Sequence, residues 1–222
     1  MIKFLSYCLF VFPFVTYGQF SVGVNLTAGG QLVSLNQEIG LNDRTFQLEQ
    51  VRFYLSKFEF YRDHRLVFSD PVEAYLIDFE NDSTRKLVFP DVSVAQFDEV
   101  RFLFGIDSLT NTSGAMSGAL DPMHGMYWSW QSGYINCKIE GTFRTPKPEA
   151  FQLHLGGYAS PFSGARHIVL QNDQSGQAKL SINLDALMQE VLRPESKLQV
   201  MSPCSKAVEY ATLLAKSFEL KP

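Results

Sequence analysis

From Phe20 onward the chain alternates apolar and polar positions in short runs. Phe20, Val22, Val24 and Leu26 are interleaved with Ser21, Gly23 and Asn25, the period of two expected of a strand that buries one face. The same period predicts strands over 100–104, 135–143, 151–155 and 178–184, with a further short strand over 74–79. Between Val51 and Tyr61 the apolar phase moves from odd positions (Val51, Phe53, Leu55) to even ones (Phe58, Phe60), which predicts a bulge or corner at Ser56-Lys57. Helical spacing is confined to 185–192 and 205–217, where Val208, Ala211 and Ala215 would share a face. Short strands parted by Gly, Pro, Asn and Asp, with no strand-and-helix rhythm, predict an all-β fold. The expected architecture is an antiparallel β-sandwich with short C-terminal helices. No repeat or linker interrupts 19–222, which is read as a single domain.

The first eighteen residues follow a different pattern. Lys3 precedes an apolar run from Phe4 to Val15, and Thr16-Tyr17-Gly18 follows it, the layout of a secretory signal peptide with cleavage before Gln19. The run is too short to span the hydrocarbon of a bilayer, so no membrane span is expected after cleavage. The mature protein is expected to be exported, to a periplasm or the extracellular space. Cys8 leaves with the signal, and Cys137 and Cys204 remain. An oxidising compartment would let them pair. Cys137, however, has the apolar phase of Ile135 and Ile139, which suits a small buried hydrophobe.

Charge narrows the partners. Nineteen Lys and Arg stand against 23 Asp and Glu without any basic run. Nucleic acid is therefore not an expected partner, since binding to it depends on clustered cations.

The alternation fails between Gly105 and Gly133, a long irregular segment that contains both tryptophans. Irregular stretches of this length are usually functional or disordered, and one this aromatic is unlike a disordered one. If 126–130 is extended, Met126, Trp128 and Trp130 project to one side. They would form either an aromatic plug at one end of the sandwich or a platform for a ligand or redox chemistry. His154, in Phe151-Gln152-Leu153-His154-Leu155-Gly156-Gly157, takes the polar phase of its strand. An imidazole at a strand end before two glycines is a candidate copper ligand. His124, four residues before Trp128, is the second candidate, whereas His64 and His167 sit among charged neighbours and read as solvated. Asp107 and Asp121 could offer hard oxygen atoms to calcium, although capping is the commoner use of such residues. HExxH, CxxC, GxSxG and phosphate-cradling glycine patterns are all missing, so no enzyme is expected.

Several motifs occur in a characteristic order: Phe104-Gly105-Ile106-Asp107, Leu120-Asp121-Pro122, the run from Gly125 to Tyr134, Ile139-Glu140-Gly141 and His154-Leu155-Gly156-Gly157. In these motifs the chain resembles the MbnP-like copper-binding proteins, a family of exported bacterial proteins. The likeness is densest over 100–157. It implies an exported β-rich protein that binds copper through imidazoles and a tryptophan oxidised to kynurenine. It also implies a dihaem peroxidase-like partner that makes the modification. Trp128 and Trp130 occupy the tryptophan motif and His154 the His-Leu-Gly position. His124 is a candidate from this sequence alone. The resulting expectation is a non-enzymatic protein for copper acquisition or storage. The competing reading is a β-sandwich surface module that binds glycan or protein through Trp128 and Trp130.

Overall fold

The computed structural model describes residues 19–128, 133–144, 147–172 and 178–221. The predicted signal peptide and Trp130 lie outside the described residues.

The strands in chain order are β1 (Phe20–Ala28), β2 (Gln31–Leu32), β3 (Glu38–Leu41), β4 (Arg44–Arg62), β5 (Arg65–Ser69), β6 (Ala74–Asp78), β7 (Lys86–Phe89) and β8 (Glu99–Phe104). They continue as β9 (Tyr127–Trp128), β10 (Gly133–Phe143), β11 (Glu149–Gly156), β12 (Arg166–Gln171), β13 (Ala178–Asn183), β14 (Gln199–Val200) and β15 (Phe218–Lys221). The helices are α1 (Ser108–Thr112), α2 (Asp185–Val191) and α3 (Ser205–Ala215). Among the described residues, no helix is long and apolar enough to cross a membrane.

The fold is all-β and sandwich-like. The smaller sheet runs β15-β13-β1-β2, with β7 also on β1. The larger runs β12-β8-β4-β10-β11-β14, with β3, β5 and β6 also on β4. The pairing departs from the purely antiparallel expectation: β1 with β13 and β11 with β14 are parallel. These partners are far apart in sequence, so no hairpin turn constrains their direction.

The core fills the space between the sheets. Every second residue of β1 is buried, and Phe20 meets Phe97 edge-on at a centroid distance of 5.1 Å. Such pairs add to the hydrophobic gain from burial. Helix α3 buries Ala207, Tyr210, Ala211 and Leu214, one residue out of phase with the face predicted through Val208 and Ala215. The bulky Tyr210 and Leu214 determine which stripe turns inward. Cys137 is a free thiol in the core and Cys204 a half-buried free thiol.

Strand β4 organises the larger sheet. Its first half pairs with β10 and its second half with β8 on the same edge, while β3, β6 and β5 follow one another along the opposite edge. The register breaks between Ser56 and Glu59, and Lys57 takes a left-handed φ of 55°. This bulge is the predicted phase change. It lets Phe53 and Leu55 before it, and Phe58 and Phe60 after it, all face the core.

Candidate functional site

The segment from Gly105 to Gly133 leaves β8 and returns as β10, and among its described residues Ile106, Leu120 and Met126 pack on the outer face of the larger sheet. Gly105 begins it with a φ of +110°, and a Cβ there would lie 2.7 Å from the Asn136 side chain. Asp107 caps α1, accepting from the Thr110 amide at 2.9 Å, and its second oxygen takes the Thr110 hydroxyl at 2.8 Å. Asn111 then ties both ends of the segment together. Its Nδ2 donates to the carbonyls of Ile106 and Asp107, each at 3.0 Å, and its Oδ1 accepts from the Tyr134 amide at 2.8 Å. Asn111 is buried, whereas Thr112 and Ser113 that follow it are exposed.

Beneath the segment lies a second small core of Tyr54, Ile106, Leu120, Met126, Tyr134 and Ile135, with Tyr127 and Trp128 packed against it. Tyr54 and Tyr134 meet edge-on at 5.8 Å, and the Tyr134 hydroxyl donates to the Leu120 carbonyl at 3.0 Å. The aromatic cluster therefore lies over a sheet face, where the alternative expectation was a plug at one end of the sandwich.

Beside this core the outer face carries a polar grid. Cross-strand register aligns Asp78, Arg52, Lys138 and His154 in one row. Gln50, Glu140 and Gln152 form the next. Arg52 binds Glu80 at 2.6 Å and lies 2.9 Å from Asp78. Its Nη1 also donates to the His124 carbonyl at 2.9 Å, which docks the 122–125 turn onto the grid. Asp121 caps that turn, accepting from the Met123 amide at 2.8 Å.

His154 is on the predicted polar face yet only 6% exposed. Its Nε2 lies 2.6 Å from Glu140 Oε1. Burial pushes the His154 pKa below its ordinary value, against the opposing pull of Glu140. Burial likewise lowers the pKa of Lys138, directly across from it, with Glu140 opposing and Arg52 reinforcing the shift.

Trp128 reaches the same part of the grid. A Cβ on Gly156, two residues along β11 from His154, would lie 2.6 Å from Trp128 Cζ3 and 2.8 Å from the Tyr134 carbonyl oxygen. The indole therefore rests on the bare backbone of Gly156. Gly156→Ala is expected to dislodge Trp128 and cost about 1–3 kcal/mol of stability. Urea unfolding together with indole emission in a Trp130→Phe background measures both effects.

His124 is placed differently. Its exposed ring turns to the 118 turn, with Nε2 3.0 Å from the Gly118 carbonyl oxygen, while its backbone is what docks on Arg52. Among the described residues, no group of three or more His, Cys, Asp or Glu could hold a metal ion.

The sequence model of the MbnP family matches residues 17–206. The chain belongs to the MbnP family. A solved structure, MbnP from Methylosinus trichosporium, superposes with a TM-score of 0.59 at 14% identity, covering 86% of each chain. At that identity the likeness is one of fold. Comparison with curated proteins gives no match.

In this MbnP-family chain the structure thus brings His154 and Trp128 to one stretch of β11 and holds the His124 ring at Gly118. Asp107 and Asp121 sit in two separate caps. Sequence reasoning missed Glu140, Lys138 and Arg52. Their polar phase in strands 51–61 and 135–143 was visible, but pairing them with His154 requires the cross-strand register.

Proposed function

We propose that this protein is an exported, non-enzymatic copper-binding protein that serves copper acquisition or storage. The observation that carries the reading is the sequestered imidazole of His154, whose burial disfavours the charged form, beside the Gly156 position covered by Trp128. A neutral imidazole is a good copper ligand. An intact indole is not, because its nitrogen carries a proton and offers no lone pair in the ring plane. One imidazole alone makes a poor copper site. The fit therefore depends on opening the ring of Trp128 or Trp130 to kynurenine, whose aromatic amine can coordinate. The chain has no C-x-x-C-H haem attachment motif, and the oxidant is assigned to a separate exported dihaem peroxidase-like partner. When bound, copper would draw on the imidazole and amine nitrogens, both of a type it favours.

Expressed alone, the protein is expected to bind copper weakly with both indoles intact. Co-expressed with its genomic partners and exported, it is expected to carry stoichiometric copper. Peptide mapping of 126–134 should then show one tryptophan that has lost a carbon and gained an oxygen. Intact indoles without copper would favour the glycan- or protein-binding module. Intact indoles with stoichiometric copper would move the ligands to other side chains.

A further inference from the structure

We infer that the protein self-associates through an uncharged surface of loops beside the end of β11, where a second copy of this chain packs against the first. The inference goes beyond the copper reading and does not rest on it.

The sequence marks the surface. Asp, Glu, Lys and Arg make up 19% of the chain, yet none occurs in 108–120, 122–137, 150–165 or 198–205. Where these stretches run through the buried strands β10 and β11, the lack of charge needs no explanation. Their loops are different: Ser108, Leu109, 115–118, 159–162, Met201 and Ser202 are all exposed, and exposed chain is ordinarily rich in charge.

The fold gathers these loops. The Ser108 hydroxyl donates to the Tyr158 carbonyl at 2.9 Å, and the Tyr158 ring lies 3.1 Å from where a Cβ on Gly133 would stand. A Cβ on Gly157 would meet both the Phe162 carbonyl and the Pro203 ring. Strand β14 pairs in parallel with β11, which brings 201–203 alongside the end of that strand. The Met116 amide is tied to the Tyr134 hydroxyl at 3.0 Å. Leu109, which is 77% exposed, and the exposed Met116, Phe162 and Met201 therefore stand on neighbouring loops. The charges that flank them have partners of their own. Asp107 is held by Thr110, and Arg166 donates to the Ser163, Ala165 and Val208 carbonyls and to the Thr212 hydroxyl.

Charge selects the occupant. The chain has a formal net charge of −4, so two copies repel where their charged faces approach, whereas this surface lets them meet with no like charges opposed. An anionic lipid surface or a nucleic acid is recognised by Lys and Arg, and a transient protein partner gains encounter rate from complementary charge. These loops offer neither. A second copy always brings an equally uncharged surface, and a two-fold contact sets the same patch against itself. Depletion of charge with Phe and Met at the centre is the composition of an interface core, and the Tyr, Ser, Gly and Asn of the loops add adaptable hydrogen bonding, as in antibody paratopes.

The test is sedimentation equilibrium of the full exported protein, expressed alone, over a range of concentrations at low and high salt. A dimer is expected, and it should be no weaker at high salt because no ion pair crosses the contact to be screened. Leu109→Asp and Phe162→Asp each place a carboxylate in the contact on both copies and are expected to weaken dimerisation roughly 100-fold. Leu66→Asp, at an exposed apolar position on β5, is expected to leave the dimer intact. Leu109 and Phe162 are exposed, so urea unfolding of the dissociated variants should match that of dilute wild type, which separates a lost contact from a lost fold. A wild type that stays monomeric at every concentration overturns the inference, and if that monomer floats with phosphatidylcholine vesicles the face belongs to lipid. A dimer that high salt dissociates overturns it as well. So does a dimer that Leu66→Asp breaks while Leu109→Asp and Phe162→Asp leave it whole.

Discussion

His154→Ala is expected to abolish copper binding by the co-expressed protein while leaving it folded. The side chain faces the outer grid, away from the sandwich core, so its removal opens no cavity between the sheets. Glu140 loses a partner but is half-exposed and can turn to water. The stability cost is therefore expected to be about 1–2 kcal/mol, that of one charge-assisted bond. Metal analysis and urea unfolding of the same preparation separate the two effects, and a folded, copper-replete variant would remove His154 from the site. The wild-type ring also sets a pH dependence. Its folded pKa lies below the ordinary value of 6.5, so the unfolded chain binds more protons as the pH falls through that range. The stability contributed by neutral His154 is fully present above 6.5 and is lost below it.

Asn111→Ala is expected to have the largest effect on the irregular segment. Asn111 is buried, and it supplies two donors to the start of the segment and one acceptor to the first residues of β10. Alanine would leave the Tyr134 amide and the Ile106 carbonyl short of these partners in a buried setting, at about 1–3 kcal/mol for each group left unsatisfied. A loss of roughly 3 kcal/mol or more is expected by urea unfolding. Proteolysis should begin in 105–133, with the β-sandwich core outlasting it. Cleavage that begins in the core strands would show that the clamp is not what holds the segment.

Strands with one clean buried face were legible in the sequence. Val22, Val24 and Leu26 in β1 alternate without a break, and the move from Leu55 to Phe58 located the β4 bulge to within a residue. Edge strands were not legible. In β12 only Ile168 is buried and Val169 faces solvent, and β5 exposes Leu66 and Val67, so neither shows a hydrophobic rhythm. For the site, the polar phase of His154 was readable because alternation alone fixes the face. Its partner was not, since Glu140 comes within reach only through the 138–154 register, which depends on the hairpin turn. The His124 ring also escaped the sequence, because its direction depends on the Asp121 cap and the left-handed Gly125 that ends the turn.

The two hydrophobic clusters lie on opposite faces of one sheet, and they divide the labour of the chain. Most of the burial that drives folding is in the large cluster between the sheets, whereas the small cluster mainly holds the segment that carries Trp128. Apart from anchors such as Asn111, replacements within 105–133 are thus largely insulated from the main core, as insertions on a rigid scaffold tend to be. The segment behaves as an exchangeable cassette: its side chains can be rewritten for a different ligand while the scaffold beneath keeps folding on its own terms.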